Sequence, residues 1–167
     1  MATKLRHTIT CPFGMAAYVA AISAPDYWET LATSIKAAPG ELNSADVDTD
    51  TAQVHLTQHI PADKLPSAVT KLVSGDLAIK RSMTWEFHTD AHTTGTFAAD
   101  VVGAPATTKG TVDATGTADE CTIVYTGSVT VRIPLVGGKI EKLIAEKLTD
   151  LLDAERDFTV AWHEEHR

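Results

Sequence analysis

The chain is poor in four things, and each shortage excludes a class of protein. Aromatic residues are only 6% of its 167 residues. Cysteine occurs twice, as Cys11 and Cys121, with no CxxC spacing, so neither a disulfide framework nor a zinc module of the usual kind can be built. Basic residues number 14 against 22 acidic ones, and the formal charge of -8 denies the chain the electrostatic footprint of a general nucleic-acid binder. The same charge is repelled by an anionic membrane surface. No apolar run approaches the roughly 20 residues that cross a bilayer. Residues 1–11 carry charge without an apolar stretch, so no secretory leader and a reducing, cytoplasmic setting are expected.

What is present is a globular composition, 44% hydrophobic and 22% charged, over a length that suits one domain spanning 1–167. Residues 3–10 alternate Leu5, His7 and Ile9 with polar neighbours and read as a strand. Pro12 stops it and suits the first turn of a helix over 13–23. Pro25 and Asp26 separate that helix from a second over 27–38, with Leu31 and Ile35 at helical spacing and Pro39-Gly40 as its stop.

From Glu41 the period changes to two. Ala45, Val47 and Thr49 define one strand; Ala52, Val54, Leu56, Gln58 and Ile60 define the next, each expected to have one wet face. A short helix over 64–73 is predicted, with Leu65, Val69 and Leu72 on one side. Residues 77–88 form the longest strand, with Leu77, Ile79, Met83, Trp85 and Phe87 facing one way. Phe97, Ala99 and Val101 give another, and Val112 with Ala114 a weak one. Cys121, Ile123, Tyr125, Val129, Val131 and Ile133 make a long strand whose Gly127 predicts a bulge or bend. Residues 134–138 read as a hinge. After it, Ile140, Leu143, Ile144, Leu148, Leu151, Leu152, Phe158 and Trp162 form one apolar stripe on a helix over 139–166, about 40 Å long at about 1.5 Å per residue.

An antiparallel sheet with one apolar face must cover it, and the last helix is the only element long enough. A strongly twisted sheet curls around such a helix. The expected fold class is therefore α+β, a helix grip: a curved antiparallel sheet of six to seven strands wrapped around a long C-terminal helix, with two short helices after the first strand.

That order, with the run Val129-Thr130-Val131-Arg132-Ile133-Pro134-Leu135-Val136-Gly137-Gly138-Lys139-Ile140-Glu141, the later Leu151-Leu152-Asp153-Ala154-Glu155, and Trp162, resembles the START-like superfamily, also described as polyketide-cyclase-like. Within it the C-terminal third resembles an uncharacterised actinobacterial family. The helix over 64–73 departs from the simplest form of the fold. The resemblance implies a hydrophobic cavity between sheet and long helix, used for lipids, polyketides or other apolar molecules, and no single chemistry.

The expected ligand-binding wall includes Met83, Trp85, Phe97, Val101, Ile123, Tyr125, Leu148, Leu151 and Phe158, with Val54, Leu56, Ile79, Val129 and Leu152 around them. The plainer alternative is that these residues fill a core and leave a pocket among only a subset. Arg81 falls on the apolar face of its strand, where a guanidinium is costly unless paired. Glu155, on the inner side of the last helix, is its possible partner, and the two together could anchor a ligand's polar group. The preferred alternative turns Arg81 to water near a strand end or at a bulge.

Other chemistries find little support. His55 and His59, four apart on a strand, stand about 13 Å apart at about 3.3 Å per residue, too far to share a metal. His88, His92, His163 and His166 have no ligand spacing, and no metal or cofactor is expected. There is no GxSxG serine. Cys121 reads as a buried inert thiol. Gly137-Gly138-Lys139 lacks the rest of a phosphate loop and reads as a flexible connection. Asp46, Asp48 and Asp50 alternate along a strand and suit a solvated edge that discourages pairing with other sheets. A binding protein for a small hydrophobic molecule ranks first. An enzyme of cyclase or dehydratase type, with Arg81, Glu155 and Tyr125 orienting and protonating a carbonyl, ranks second. A protein-interaction module ranks third.

Overall fold

The structure is a computed structural model that describes residues 2–36, 38–71 and 75–167. Strand β1 (Thr3–Cys11) is followed by helices α1 (Met15–Ser23) and α2 (Tyr27–Ser34). Strands β2 (Gly40–Val47) and β3 (Thr51–Ile60) come next, then a 3-10 turn at Ala62–Lys64 and the short helix α3 (Ser67–Thr70). Strands β4 (Leu77–Thr89), β5 (His92–Val101), β6 (Ala106–Gly116) and β7 (Cys121–Val131) lead to helix α4 (Gly137–His166). All pairings are antiparallel in one seven-stranded sheet of order β1-β7-β6-β5-β4-β3-β2. The α+β helix-grip expectation holds: α4 packs chiefly along β1 and β7, and α1 and α2 close the end of the grip.

Alternation decides which face is concave. Ala52, Val54, Leu56 and Gln58 of β3, Arg81, Met83 and Trp85 of β4, and Cys121, Ile123 and Val129 of β7 are all buried. Three glycines share that inner face. In register, Leu5 pairs with Gly127, Gly127 with Gly110, and Gly110 with Phe97. A Cβ on Gly110 would stand 2.2 Å from the Thr126 carbonyl oxygen and 2.7 Å from Phe97 Cζ. One on Gly127 would stand 2.3 Å from the Lys109 oxygen. The space a side chain would take is filled by neighbouring backbone and by the Phe97 ring. Gly95, opposite Trp85, is crowded in the same way, with Trp85 Cδ1 3.3 Å from its Cβ position. Glycine here leaves room for the Phe97 and Trp85 rings to approach the backbone of the sheet floor.

Several local expectations are corrected. Gly127 makes no bulge; its pairing is continuous with both neighbours, and the register shifts occur at Leu42/Ser44 and Phe87/Thr89. Beyond Leu42, β2 is exposed on both faces, because it is the sheet edge and nothing lies over its end. Its Asp46, with Asp48 and Asp50 after it, is solvated, as an edge strand protected against foreign pairing requires. Residues 134–138 are not a loose hinge. Leu135 takes the left-handed region at φ 71°, and Gly137 and Gly138 already belong to the first turn of α4. Gly137 is buried against the Val131 carbonyl, where a Cβ would come within 2.6 Å.

Helix boundaries also move inward. Helix α1 starts at Met15, after Gly14, and α2 stops at Ser34. The single helix expected over 64–73 is replaced by the 3-10 turn and α3, because Pro66 breaks the backbone donor pattern between them. Its Leu72 and Val73 lie outside the described residues. The weak strand at Val112 and Ala114 is a full eleven-residue β6.

Candidate functional site

Two neighbouring spaces lie between the sheet and α4, and they differ in chemistry. The inner one, about 50 Å³, is walled by Arg81, Met83, Trp85, Phe97, Ile123, Tyr125, Glu155 and Thr159, with Tyr18, Tyr27 and Trp28 from the two short helices. The outer one, about 240 Å³, is walled by Ile79, Val101, Ala106, Val131, Ile140, Leu143, Ile144 and Leu151, with Leu65 and Val69 from the β3–β4 connection. Ala99 and Leu148 contribute to both.

The apolar stripe of α4 explains the outer cavity. Ile140, Leu152 and Trp162 are buried, while Leu143, Ile144, Leu148 and Leu151 between them are half-buried. Each of the four borders the outer cavity, and Ile144, Leu148 and Leu151 also pack in part against the core. Small residues opposite, Ala99 and Ala106, keep that space open. It exceeds the roughly 150 Å³ of an apolar cavity that admits benzene.

At the inner end, Arg81 is turned inward and is 7% exposed. The outward reading is corrected: β4 continues through position 81 without a bulge, so alternation holds its side chain on the concave face. Its guanidinium grips Glu155 with two prongs, Nη1 to Oε2 at 2.5 Å and Nη2 to Oε1 at 3.3 Å. Nη1 also donates to Gln58 Oε1 at 2.9 Å, and Gln58 Nε2 donates to the Ala38 carbonyl at 3.4 Å. Burial works against the charge of Arg81, but the adjacent Glu155 carboxylate offsets it, and the guanidinium pKa lies above its ordinary value. A paired, hydrogen-bonded buried charge is the arrangement that keeps such a group tolerable.

A second polar chain adjoins the first. Thr159 Oγ1 donates to the Glu155 carbonyl at 2.7 Å, which leaves its lone pairs to accept from the Tyr27 hydroxyl at 2.7 Å. Burial raises the pKa of Tyr18, Tyr27 and Tyr125, so all three stay protonated. Trp85 Nε1 is buried with no acceptor among the described residues. The inner chamber is therefore ring-lined, largely apolar with a few buried polar groups, and small: about 50 Å³ holds a few waters at about 10–15 Å³ each.

The expected wall thus divides. Arg81, Met83, Trp85, Phe97, Ile123, Tyr125 and Glu155 line the inner chamber; Val101 and Leu151 line the outer cavity; Leu148 lines both. Phe158 lines neither and packs its ring against Tyr27 and Trp162, 5.5 and 6.1 Å away. Gln58, Tyr18, Tyr27 and Thr159 join the site without having been expected there. Gln58 has a usable signal, a polar residue on an otherwise apolar strand face, as Arg81 has. Cys11 and Cys121, 110 positions apart, are direct partners across β1 and β7. Among the described residues no cluster of His, Cys, Asp and Glu could hold a metal, and no helix is long and apolar enough to cross a membrane.

This grip of seven strands around a C-terminal helix is the START-like fold. It aligns with a protein from Thermus thermophilus, TTHA0849 (TM-score 0.61, 13% identity, 95% of this chain and 98% of that one). It also aligns with a START superfamily protein from Mycobacterium smegmatis (TM-score 0.57, 10% identity, 98% and 99% covered). A third match is the norcoclaurine synthase of Thalictrum flavum, whose structure was solved with dopamine and hydroxybenzaldehyde (TM-score 0.57, 15% identity, 100% and 89% covered). At such identities the likeness is one of fold. The chain belongs to the family described as protein of unknown function (DUF2505), which it matches over residues 6–162. An uncharacterised relative in Mycobacterium tuberculosis, Rv0481c, is 33% identical over 144 residues, covering 82% of this chain and 83% of the relative.

Proposed function

We propose that this protein binds a small hydrophobic molecule in the outer cavity, between the sheet and α4. The observation that carries the reading is the cavity of about 240 Å³ walled almost wholly by aliphatic side chains, beneath a helix whose apolar residues are only half-covered. A packed core of this composition would bury Leu143, Ile144, Leu148 and Leu151 fully, and leaving them beside open space forfeits contacts that a ligand restores. Apolar concave sites with few polar groups are where small molecules bind.

The test is native mass spectrometry of the purified protein, as isolated and after incubation with a panel of lipids and polyketides. Binding of panel members is expected, and Ala106→Leu, which fills the cavity from the sheet side, abolishes it while the protein stays folded. A protein that takes no member of the panel, or whose Ala106→Leu variant binds unchanged, contradicts the reading.

The enzyme reading meets one of its conditions. Arg81, Glu155 and Tyr125 converge on one chamber. That chamber, at about 50 Å³, is about a fifth of the outer cavity's volume, however, and Arg81 and Glu155 already satisfy each other. Binding in the outer cavity therefore takes precedence. An interaction module is favoured by a large exposed apolar patch without an internal cavity, the reverse of this arrangement.

A further inference from the structure

The distribution of aromatic and charged side chains around the two spaces narrows the ligand class. We infer that the outer cavity takes a single-chain aliphatic amphiphile with an anionic head, its chain among Ile, Leu, Val and Ala side chains and its head at Lys64 and Lys147. This inference rests on the binding reading above and adds to it the shape and charge of the guest.

Rings sort to one of the two spaces. Of the chain's four Phe, three Trp and three Tyr, six line the inner chamber and none lines the outer cavity. A planar aromatic guest gains from offset or edge-to-face contacts with rings. The outer wall offers none. Flexible or branched saturated chains need only dispersion and loss of contact with water, which an aliphatic wall provides.

Charge is balanced at the inner end and carries a positive excess at the outer wall. At the inner end the Arg81 charge is matched by Glu155, with Gln58 completing its hydrogen bonds. An anionic head driven there would face a neutral pair in a chamber of about 50 Å³. The charged residues on the outer wall are Lys64, Lys147 and Asp150, all exposed at the rim. They sum to one net positive charge in a chain of formal charge -8. Lys64 comes from the 3-10 turn and Lys147 from α4, so two separate elements each contribute an exposed lysine to the wall of this one cavity. Both side chains can lay their methylenes along the apolar wall and keep the ammonium wet. Asp150, about one turn beyond Lys147, weakens the attraction without cancelling it. Carboxylates and phosphates share this chemistry.

Isothermal titration with four probes tests the inference: dodecanoate, geranyl monophosphate, dodecanol and 2-naphthoate. The expected result is binding of dodecanoate, geranyl monophosphate or both, at least about tenfold tighter than dodecanol, with naphthoate weakest. Which anion prevails identifies the head as carboxylate or phosphate. A Lys64→Met, Lys147→Met double variant is expected to erase the preference, binding the anion no more than about twofold tighter than it binds dodecanol. Dodecanol binding as tightly as the anions overturns the assignment of the head and leaves the binding reading intact. Preference for naphthoate overturns the aliphatic assignment. Failure of all four probes, together with an empty result from the wider panel, overturns both readings.

Discussion

Arg81 of β4 and Glu155 of α4, 74 residues apart in sequence, form a buried two-pronged ion pair that ties the helix to the middle of the sheet. Breaking one side of such a pair strands a charge away from water, which costs about 3–5 kcal/mol. Arg81→Met and Glu155→Leu should each show a loss of that order in urea unfolding. The double variant should be more stable than either single one, because it buries no unpaired charge. Single variants within about 1 kcal/mol of the parent would show that the pair is solvated in solution.

The inner-face glycines make a prediction with its own control. Gly110→Ala and Gly127→Ala place a methyl against backbone atoms that cannot retreat without parting strands, and a loss of about 1–3 kcal/mol is expected for each. Gly138, in the first turn of α4 with nothing within 4 Å of its Cβ position, should gain up to about 1 kcal/mol when replaced by Ala. Thermal melts of the three variants measure the contrast, and equal behaviour at all three positions contradicts the close strand approach.

Glu141 fastens the start of α4. Its carboxylate accepts from the Val131 N–H and from the Thr3 hydroxyl, each at 2.9 Å, and these bonds lower its pKa from 4.5. A lowered folded-state pKa means that the carboxylate stabilises the fold above about pH 4.5 and loses that contribution as pH falls through the lower folded value. The melting temperature of Glu141→Gln should therefore trail the parent at neutral pH, and the gap should narrow on acidification below that point. A gap independent of pH would assign the effect to shape alone.

Cys11 and Cys121 are cross-strand partners at the end of β1 and start of β7. Directly opposed antiparallel residues have Cα atoms about 4.5–5.5 Å apart, inside the range a disulfide spans. Both thiols are buried at this end of the sheet, so the pair reacts with an oxidant when the strand ends open. A diazene dicarboxamide oxidant, itself reduced to the hydrazine, should take two electrons and two protons from the pair and form one intramolecular disulfide. Mass spectrometry after alkylation under denaturing conditions reads the outcome. Two alkylated cysteines after oxidation of the native protein would contradict it.

Legibility in the sequence follows the range of the interaction. The strands and α4 announce themselves by periodicity, because burial of one face acts on neighbours two or three to four residues apart. Arg81 is visible as a charge out of place, yet its direction is not, since a strand cannot reveal from its own residues what lies opposite. Gln58 carries the same signal in a weaker, uncharged form. The glycines suggest bends; their role as floor beneath Phe97 and Trp85 depends on register across three strands. Pro66 shows a local breaker shortening an element that periodicity alone extends.

By itself the sequence determined the class of fold and the apolar face of the central strands and of the last helix, because alternation and the helical stripe mark which side must be buried. Only the tertiary structure decided that the inner face divides into a ring-lined chamber holding the buried Arg81–Glu155 pair and an aliphatic cavity. That division depends on which strands neighbour each other and on where α4 crosses them: small residues of β5 and β6 fall opposite half-covered leucines of the helix, while Arg81 meets Glu155 one turn further on.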